Sequence, residues 1–294
     1  MLLAKNEFGQ VHQVKLSQDV STIEVEHSKA KAVISLYGGQ VLSWCPQGEK
    51  EVFWLSKDSF FENKKAIRGG IPLCWPWFGS HPNDHENKLA NHGFARGQLW
   101  QVDNIIIDEQ GVEVCLSWQG ENISDLWPHA CQLKQVLFFG ASFKQTLAMK
   151  NLSDVDAYHT GALHSYFAVS SPEMIKIAAL EQADFYDKLT GQLEKPQILE
   201  NGTGPVDRIY YTNNQMSLVD HKWGRTIELK ALNTKQWVFW NPGGELAKNM
   251  ADIHPNGEQE FICLEAANTQ MELLAAGESV TMAQEISIIN HTPT

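Results

Sequence analysis

The chain has 294 residues and carries a formal net charge of −12. That length can bury a large core, and so acidic a balance excludes nucleic acid and an anionic membrane as partners, because both demand a basic face. Five scattered cysteines form no C-x-x-C pair, and no apolar run is long enough to span a bilayer.

Lys5 and Glu7 enter too early for a secretory signal, so the expected address is the cytoplasm. Residues 32–37 form a segment rich in β-branched and aromatic side chains, and Gly38-Gly39 then signals a turn. Residues 56–60 make a short helix or a turn. Further strand-like segments follow at 111–118, 132–139 and 143–149, several alternating apolar and polar residues with period two. The apolar stretch 161–169 contains His164. Gly202-Thr203-Gly204-Pro205 is a turn signal, followed by strand patterns at 226–230 and 236–240. After Asn241-Pro242-Gly243-Gly244 comes a second short helix or turn at 245–247, then a strand pattern at 260–265 that contains Glu265. Sustained helical periodicity is scarce, and neither a linker nor a repeat divides the chain. The pattern predicts an all-β, mainly antiparallel sandwich with few short helices, as one domain over residues 1–294.

The segments Arg68-Gly69-Gly70-Ile71-Pro72-Leu73-Cys74-Trp75-Pro76-Trp77-Phe78-Gly79 and Asn91-His92-Gly93-Phe94-Ala95-Arg96-Gly97 concentrate glycine, tryptophan and arginine. Glycines permit close backbone approach, tryptophans offer flat apolar faces, and arginine forks grip phosphate or carboxylate. They suit a small anionic ligand; equally, they suit a turn-rich stretch with core tryptophans and surface arginines. His81 and His85 have the spacing of a metal pair, but Pro82 and Asn83 favour a loop and no third ligand is marked. The chain has no G-x-S-x-G elbow, P-loop or dinucleotide fingerprint. His164 and Glu265 stand in apolar runs, where an ionisable group is either satisfied in the core, exposed at a strand end, or functional.

In order along the chain, Arg68-Gly69-Gly70-Ile71-Pro72, Trp75-Pro76-Trp77-Phe78-Gly79, Asn91-His92-Gly93-Phe94-Ala95-Arg96, Leu163-His164-Ser165-Tyr166-Phe167, Val206-Asp207-Arg208-Ile209-Tyr210, Trp240-Asn241-Pro242 and Leu264-Glu265-Ala266 carry a likeness. With them the sequence resembles the glucose-6-phosphate 1-epimerases (hexose-6-phosphate mutarotases), a branch of the aldose 1-epimerase superfamily. The resemblance implies a galactose mutarotase-like β-supersandwich with its cleft on the concave face of the central sheet. It implies cofactor-free interconversion of the α and β anomers of a hexose 6-phosphate, glucose 6-phosphate foremost, with no metal. His164 and Glu265 match the catalytic pair, and Arg68, Arg96 and Asp207 the ligand-binding positions. Asn91 stands where glutamine is common, and His92 matches a histidine that touches the sugar ring in relatives acting on non-phosphorylated sugars.

On this reading Glu265 is an ionised base, His164 an imidazolium acid, and Arg68 with Arg96 clamps the phosphate. Asp207 either reinforces the field holding the proton on His164 or binds a sugar hydroxyl. Trp75 or Trp77 either stacks on the sugar or packs in the core. The expected partner is a small sugar phosphate, with the chain a monomer or weak homo-oligomer. Three other readings compete: a carbohydrate-binding protein without turnover on the same fold, a mutarotase for non-phosphorylated aldoses, and a glycoside hydrolase or lyase using Glu265 with Asp207.

Overall fold

In the computed structural model, which describes residues 1–85, 89–199 and 202–291, the strand patterns become three antiparallel sheets. The first is a meander of five strands in chain order: Leu2–Lys5, Gly9–Lys15, Ser21–His27, Ala30–Ser35 and Gln40–Pro46. The second has eight strands, in the spatial order Ile175–Lys176, Met216–Asp220, Arg225–Leu232, Ser279–Asn290, Ser142–Asn151, Cys131–Gly140, Gly111–Gly120 and Gln101–Ile107. The third runs Gln192–Glu194, Phe185–Asp187, Val206–Tyr210, Gln236–Asn241, Phe261–Leu274, Ala157–Leu163 and Leu73–Cys74, with Tyr166–Ala168 also pairing on Phe261–Leu274. Among the described residues helix is limited to Gly243–Ala247 and a few 3-10 turns; residues 56–60 form a turn.

One apolar core draws on all three sheets, including Trp44, Phe143, Ile286, Trp237 and Leu264. The period of two decides which side chains join it. Along Phe261–Leu274, Ile262, Leu264 and Ala266 enter that core, while Phe261 and Cys263 join a smaller cluster on the other face with Trp54 and Tyr166. Glu265 therefore shares the outer face. The neighbouring strand repeats the pattern: Trp237 and Phe239 point in, and Val238 and Trp240 lie opposite Glu265 and Cys263 in the register.

The second and third sheets are also joined by a buried polar chain. Gln284 Nε2 donates to Gln145 Oε1 at 2.8 Å and Gln145 Nε2 donates to Gln135 Oε1, while Ser165 Oγ donates to Gln284 Oε1 at 3.2 Å. Each amide satisfies the next, which is what makes three glutamines tolerable in an apolar interior. The chain ends one residue from His164.

Candidate active site

The strand Ala157–Leu163 stops at His164, and Tyr166–Ala168 resumes it. In the gap the main chain turns to a loop instead of a strand: His164 N–H donates to Pro72 O, and Tyr166 N–H to Gly70 O. This loop follows Arg68. Gly70 adopts φ 62°, and a Cβ there would stand 2.0 Å from Val41 O. Gly93, at φ 69°, would place one 2.1 Å from Trp75 O. Both glycines are thus required for backbone against backbone, rather than for close approach to a ligand.

The result is a cleft of about 380 Å³ over the outer face of the third sheet, within the range of small-molecule sites. His164, Glu265, Arg68 and Arg96 line it, and so do Asn91, His92 and Asp207. All seven residues singled out from the sequence meet there, although they span almost two hundred positions.

His164 Nε2 lies 3.3 Å from Glu265 Oε1. The imidazole stacks on Tyr166, centroids 4.9 Å apart and planes at 14°. Glu265 is 1% exposed, and both its Oε2 and His164 Nδ1 are buried without a protein partner. Sequence reasoning expected carboxylate and imidazolium, and the environment of the unliganded cleft opposes both. Burial, followed by the charge of Asp207, pushes the Glu265 carboxyl well above its ordinary range. Burial, followed by Arg96 and Arg68, holds His164 well below its own. Both shifts favour the uncharged forms, a protonated carboxyl beside a neutral imidazole. The charge of Asp207 bears on Glu265, raising its proton affinity.

Arg68 is anchored before any ligand arrives: Nε meets Asp252 Oδ2 at 3.0 Å, and Nη1 donates to Tyr166 Oη at 2.9 Å. Burial works against its charge, but Tyr166 and Asp252 more than offset that, leaving Nη2 for a ligand. Asp252 sits in a loop tied to residues 56–57. Lys57 N–H donates to His254 Nδ1 at 3.2 Å, so the ring's own N–H, on Nε2, faces Glu260 Oε2 at 3.0 Å. Ser56, His254 and Glu260 thereby align like a nucleophilic triad. Ser56 Oγ is buried, however, and accepts from the N–H groups of Asp58 and His254, so the trio is a clamp.

Arg96 Nη2 donates to the Asn91 carbonyl at 2.8 Å, and the Asn91 side-chain oxygen accepts from Ser80 Oγ at 3.0 Å. The asparagine thus holds an arginine through its main chain and keeps its amide N–H₂ for a ligand. His92 has φ 67° and pairs twice with Gly79, its N–H donating to Gly79 O and its Nδ1 accepting from Gly79 N–H. Burial and then Arg96 keep it neutral, so its remaining N–H, on Nε2, is a fixed donor.

Trp75 and Trp77 belong to the core, Trp75 edge-on to Trp127 at 4.7 Å, so neither is the stacking face. Phe78 and Trp240 line the cleft instead. His81 accepts from Asn83 N–H in a turn and packs against Trp77. Among the described residues one group of three, His164, Cys263 and Glu265, brings its metal-ligand atoms within 4.8 Å of one another. Burial first, then Glu265, drives the Cys263 thiol well up, and burial raises the Glu265 carboxyl, so a cation there would have to displace both protons.

Lys188 was missed by sequence reasoning. It follows Phe185–Asp187 at a hairpin turn, and its Nζ lies 2.8 Å from Asp207 Oδ2. The turn residues Asp187 to Gly191 were the available signal, but a lysine in a turn ordinarily points to solvent.

The sequence profile of the aldose 1-epimerase family matches residues 21–287. A Salmonella typhimurium protein described as "Putative glucose-6-phosphate 1-epimerase" is 34% identical over 279 residues, covering 92% of this chain and 91% of its own. An Escherichia coli K12 protein of the same description is 32% identical, with the same coverage. A Salmonella typhimurium crystal structure superposes with a TM-score of 0.85 at 29% identity, over 99% of this chain and 97% of that one. A galactose mutarotase-like protein from Clostridium acetobutylicum, 16% identical, shares the fold with a TM-score of 0.76 over 97% of this chain and all (100%) of its own. Among the described residues no helix is long and apolar enough to cross a membrane.

Proposed function

This chain belongs to the aldose 1-epimerase family, and on that premise we propose that it interconverts the α and β anomers of a hexose 6-phosphate, glucose 6-phosphate foremost. The observation that carries the reading is the buried contact of His164 Nε2 with Glu265 Oε1 at 3.3 Å, in a cleft that two anchored arginines also line.

Anomer exchange breaks the C1–O5 bond, turns C1 and closes the ring on the other carbonyl face. Opening takes a proton from the C1 hydroxyl and gives one to O5. Both oxygens are bonded to C1, so an acid and a base side by side reach them together and no separated charge develops. The resting neutral pair holds the same protons as the working pair. One proton passed from Glu265 Oε1 to His164 Nε2 creates base and acid in place, and on closure the roles reverse. A phosphate dianion at Arg68 and Arg96 offsets the charges that hold down the proton affinity of His164. It also anchors the far end of the sugar while C1 stays free to turn, which is binding energy used away from the bond that breaks.

The relatives described as glucose-6-phosphate 1-epimerases support the substrate class. The reading takes residues 1–294 as one domain, in keeping with a core continuous across three sheets, and assigns it to the cytoplasm, in keeping with five free cysteines. Exchange NMR on glucose 6-phosphate and on glucose tests it. Acceleration confined to the ester supports the reading, and equal acceleration of both sugars refutes the phosphate clamp. Binding without acceleration points to a carbohydrate-binding protein.

A further inference from the structure

Lys188 brings a third cation into the cleft, tied to Asp207 twice. Its Nζ meets Asp207 Oδ2 at 2.8 Å, and its backbone N–H donates to Asp207 O at 2.8 Å. The ammonium lies 5.7 Å from the centre of the Phe78 ring, and the side chain is only 34% exposed despite its place in a turn. Aromatic face and carboxylate together fix the end of a side chain that would otherwise be free.

The charges around the cleft can be matched one by one. Asp252 is paired with Arg68, and Asp207 with Lys188, while Arg96 donates to a neutral carbonyl. Burial at 1% exposure disfavours a charge on Glu265, which leaves it out of the count. One positive charge is left to receive an anion. Without Lys188 the surplus disappears, and Asp207 becomes an unmatched carboxylate facing the ligand.

We propose that Lys188 determines specificity for the anionic ester: it holds Asp207 by Oδ2, leaves Oδ1 to accept from a sugar hydroxyl, and preserves the positive surplus that admits a phosphate. The inference rests on the mutarotase reading above and assigns that site its third cation. Lys188 acts through Asp207 and through the field of the cleft, so it is a positioning residue.

The test compares wild type, Lys188→Met and Lys188→Arg by exchange NMR on glucose 6-phosphate and glucose across a pH series. In Lys188→Met the ratio of kcat/KM for the ester to that for free sugar is expected to fall about tenfold, mostly through KM, as for loss of one charge-assisted contact. Lys188→Arg should recover most of it. The limb of the profile set by Glu265 should also move to higher pH in Lys188→Met, because Lys188 lowers that group's proton affinity and an unmatched Asp207 raises it. An unchanged ratio with an unmoved limb overturns the inference. So does an equal loss on both sugars that arginine does not repair, the mark of a merely structural role. Should Lys188→Met not fold, Lys188→Gln answers the same question. A wild type without preference for the ester sinks the parent reading and takes this role with it, whereas a wild-type preference left intact in Lys188→Met sinks the Lys188 inference alone.

Discussion

Replacing Glu265 by glutamine separates what the carboxyl contributes to chemistry from what it costs the fold. The side chain is 1% exposed, its Oε2 has no protein partner, and burial followed by Asp207 raises its proton affinity well above the ordinary value of 4.5. From about pH 4.5 up to that raised value, the folded chain keeps a proton that the unfolded chain has lost. Wild-type stability therefore falls as pH rises through this window, by about 1.4 kcal/mol per pH unit. His164 has the opposite sign. Its folded affinity lies well below the ordinary 6.5, so stability is lost as pH falls below that value and nothing changes above it. Below 6.5 the two slopes oppose each other; above it Glu265 acts alone. Glutamine is nearly isosteric and does not titrate. Urea unfolding of wild type and Glu265→Gln from about pH 5 to about pH 8 should show the variant gaining on wild type by about 1.4 kcal/mol per unit until the folded-state value is reached. A pH-independent difference would refute the reasoning. Such a flat difference would mean that Arg96 and Lys188 hold the carboxylate ionised despite its burial, because a carboxylate ionised in both folded and unfolded chains adds no pH dependence above about pH 5.

Arg96→Ala removes one of the two arginines while leaving the Ser80 bond to Asn91 in place, and KM for glucose 6-phosphate should rise about tenfold or more, from a loss of about 1.5–3 kcal/mol; an unchanged KM would place the phosphate elsewhere. Trp75→Ala, at a fully buried site packed on Trp127 and Phe94, should cost about 3–5 kcal/mol in urea unfolding, and a small loss would show that the segment is not core. EDTA should leave the exchange rate unchanged, since two of the three closest ligand groups, Cys263 and Glu265, favour their protonated forms; a clear loss restored by a metal ion would reverse that assignment.

The strands were legible because period-two alternation survives wherever one face meets the core. Residues 143–149 became Ser142–Asn151, and the shared parity of Phe261, Cys263 and Glu265 put the carboxyl on the outer face. His164 was read within an uninterrupted stretch. The break that frees it for the cleft comes from bonds to Pro72 and Gly70, more than ninety residues earlier, which no local pattern reports. A separation of 184 positions hid Asp252, which meets Arg68 only when two loops are tied together through Ser56 and His254. Trp75 and Trp77 were ambiguous because core and sugar face ask for the same side chain; Trp240, on the outward parity of its strand, is the one that lines the cleft. The protonation of His164 and Glu265 was not legible, because it depends on burial and on three cations from separate segments, neither of which is visible along a chain.

The central claim is that His164 and Glu265 move the protons while other residues hold the sugar. Exchange NMR at saturating glucose 6-phosphate, on wild type, His164→Asn and Glu265→Gln, tests it most directly, with affinity measured in parallel by calorimetry. The account predicts that exchange falls about 100-fold or more in each variant, the range for loss of a general acid or base, with the dissociation constant within a few-fold of wild type. Exchange that persists in either variant while the ester still binds would contradict it.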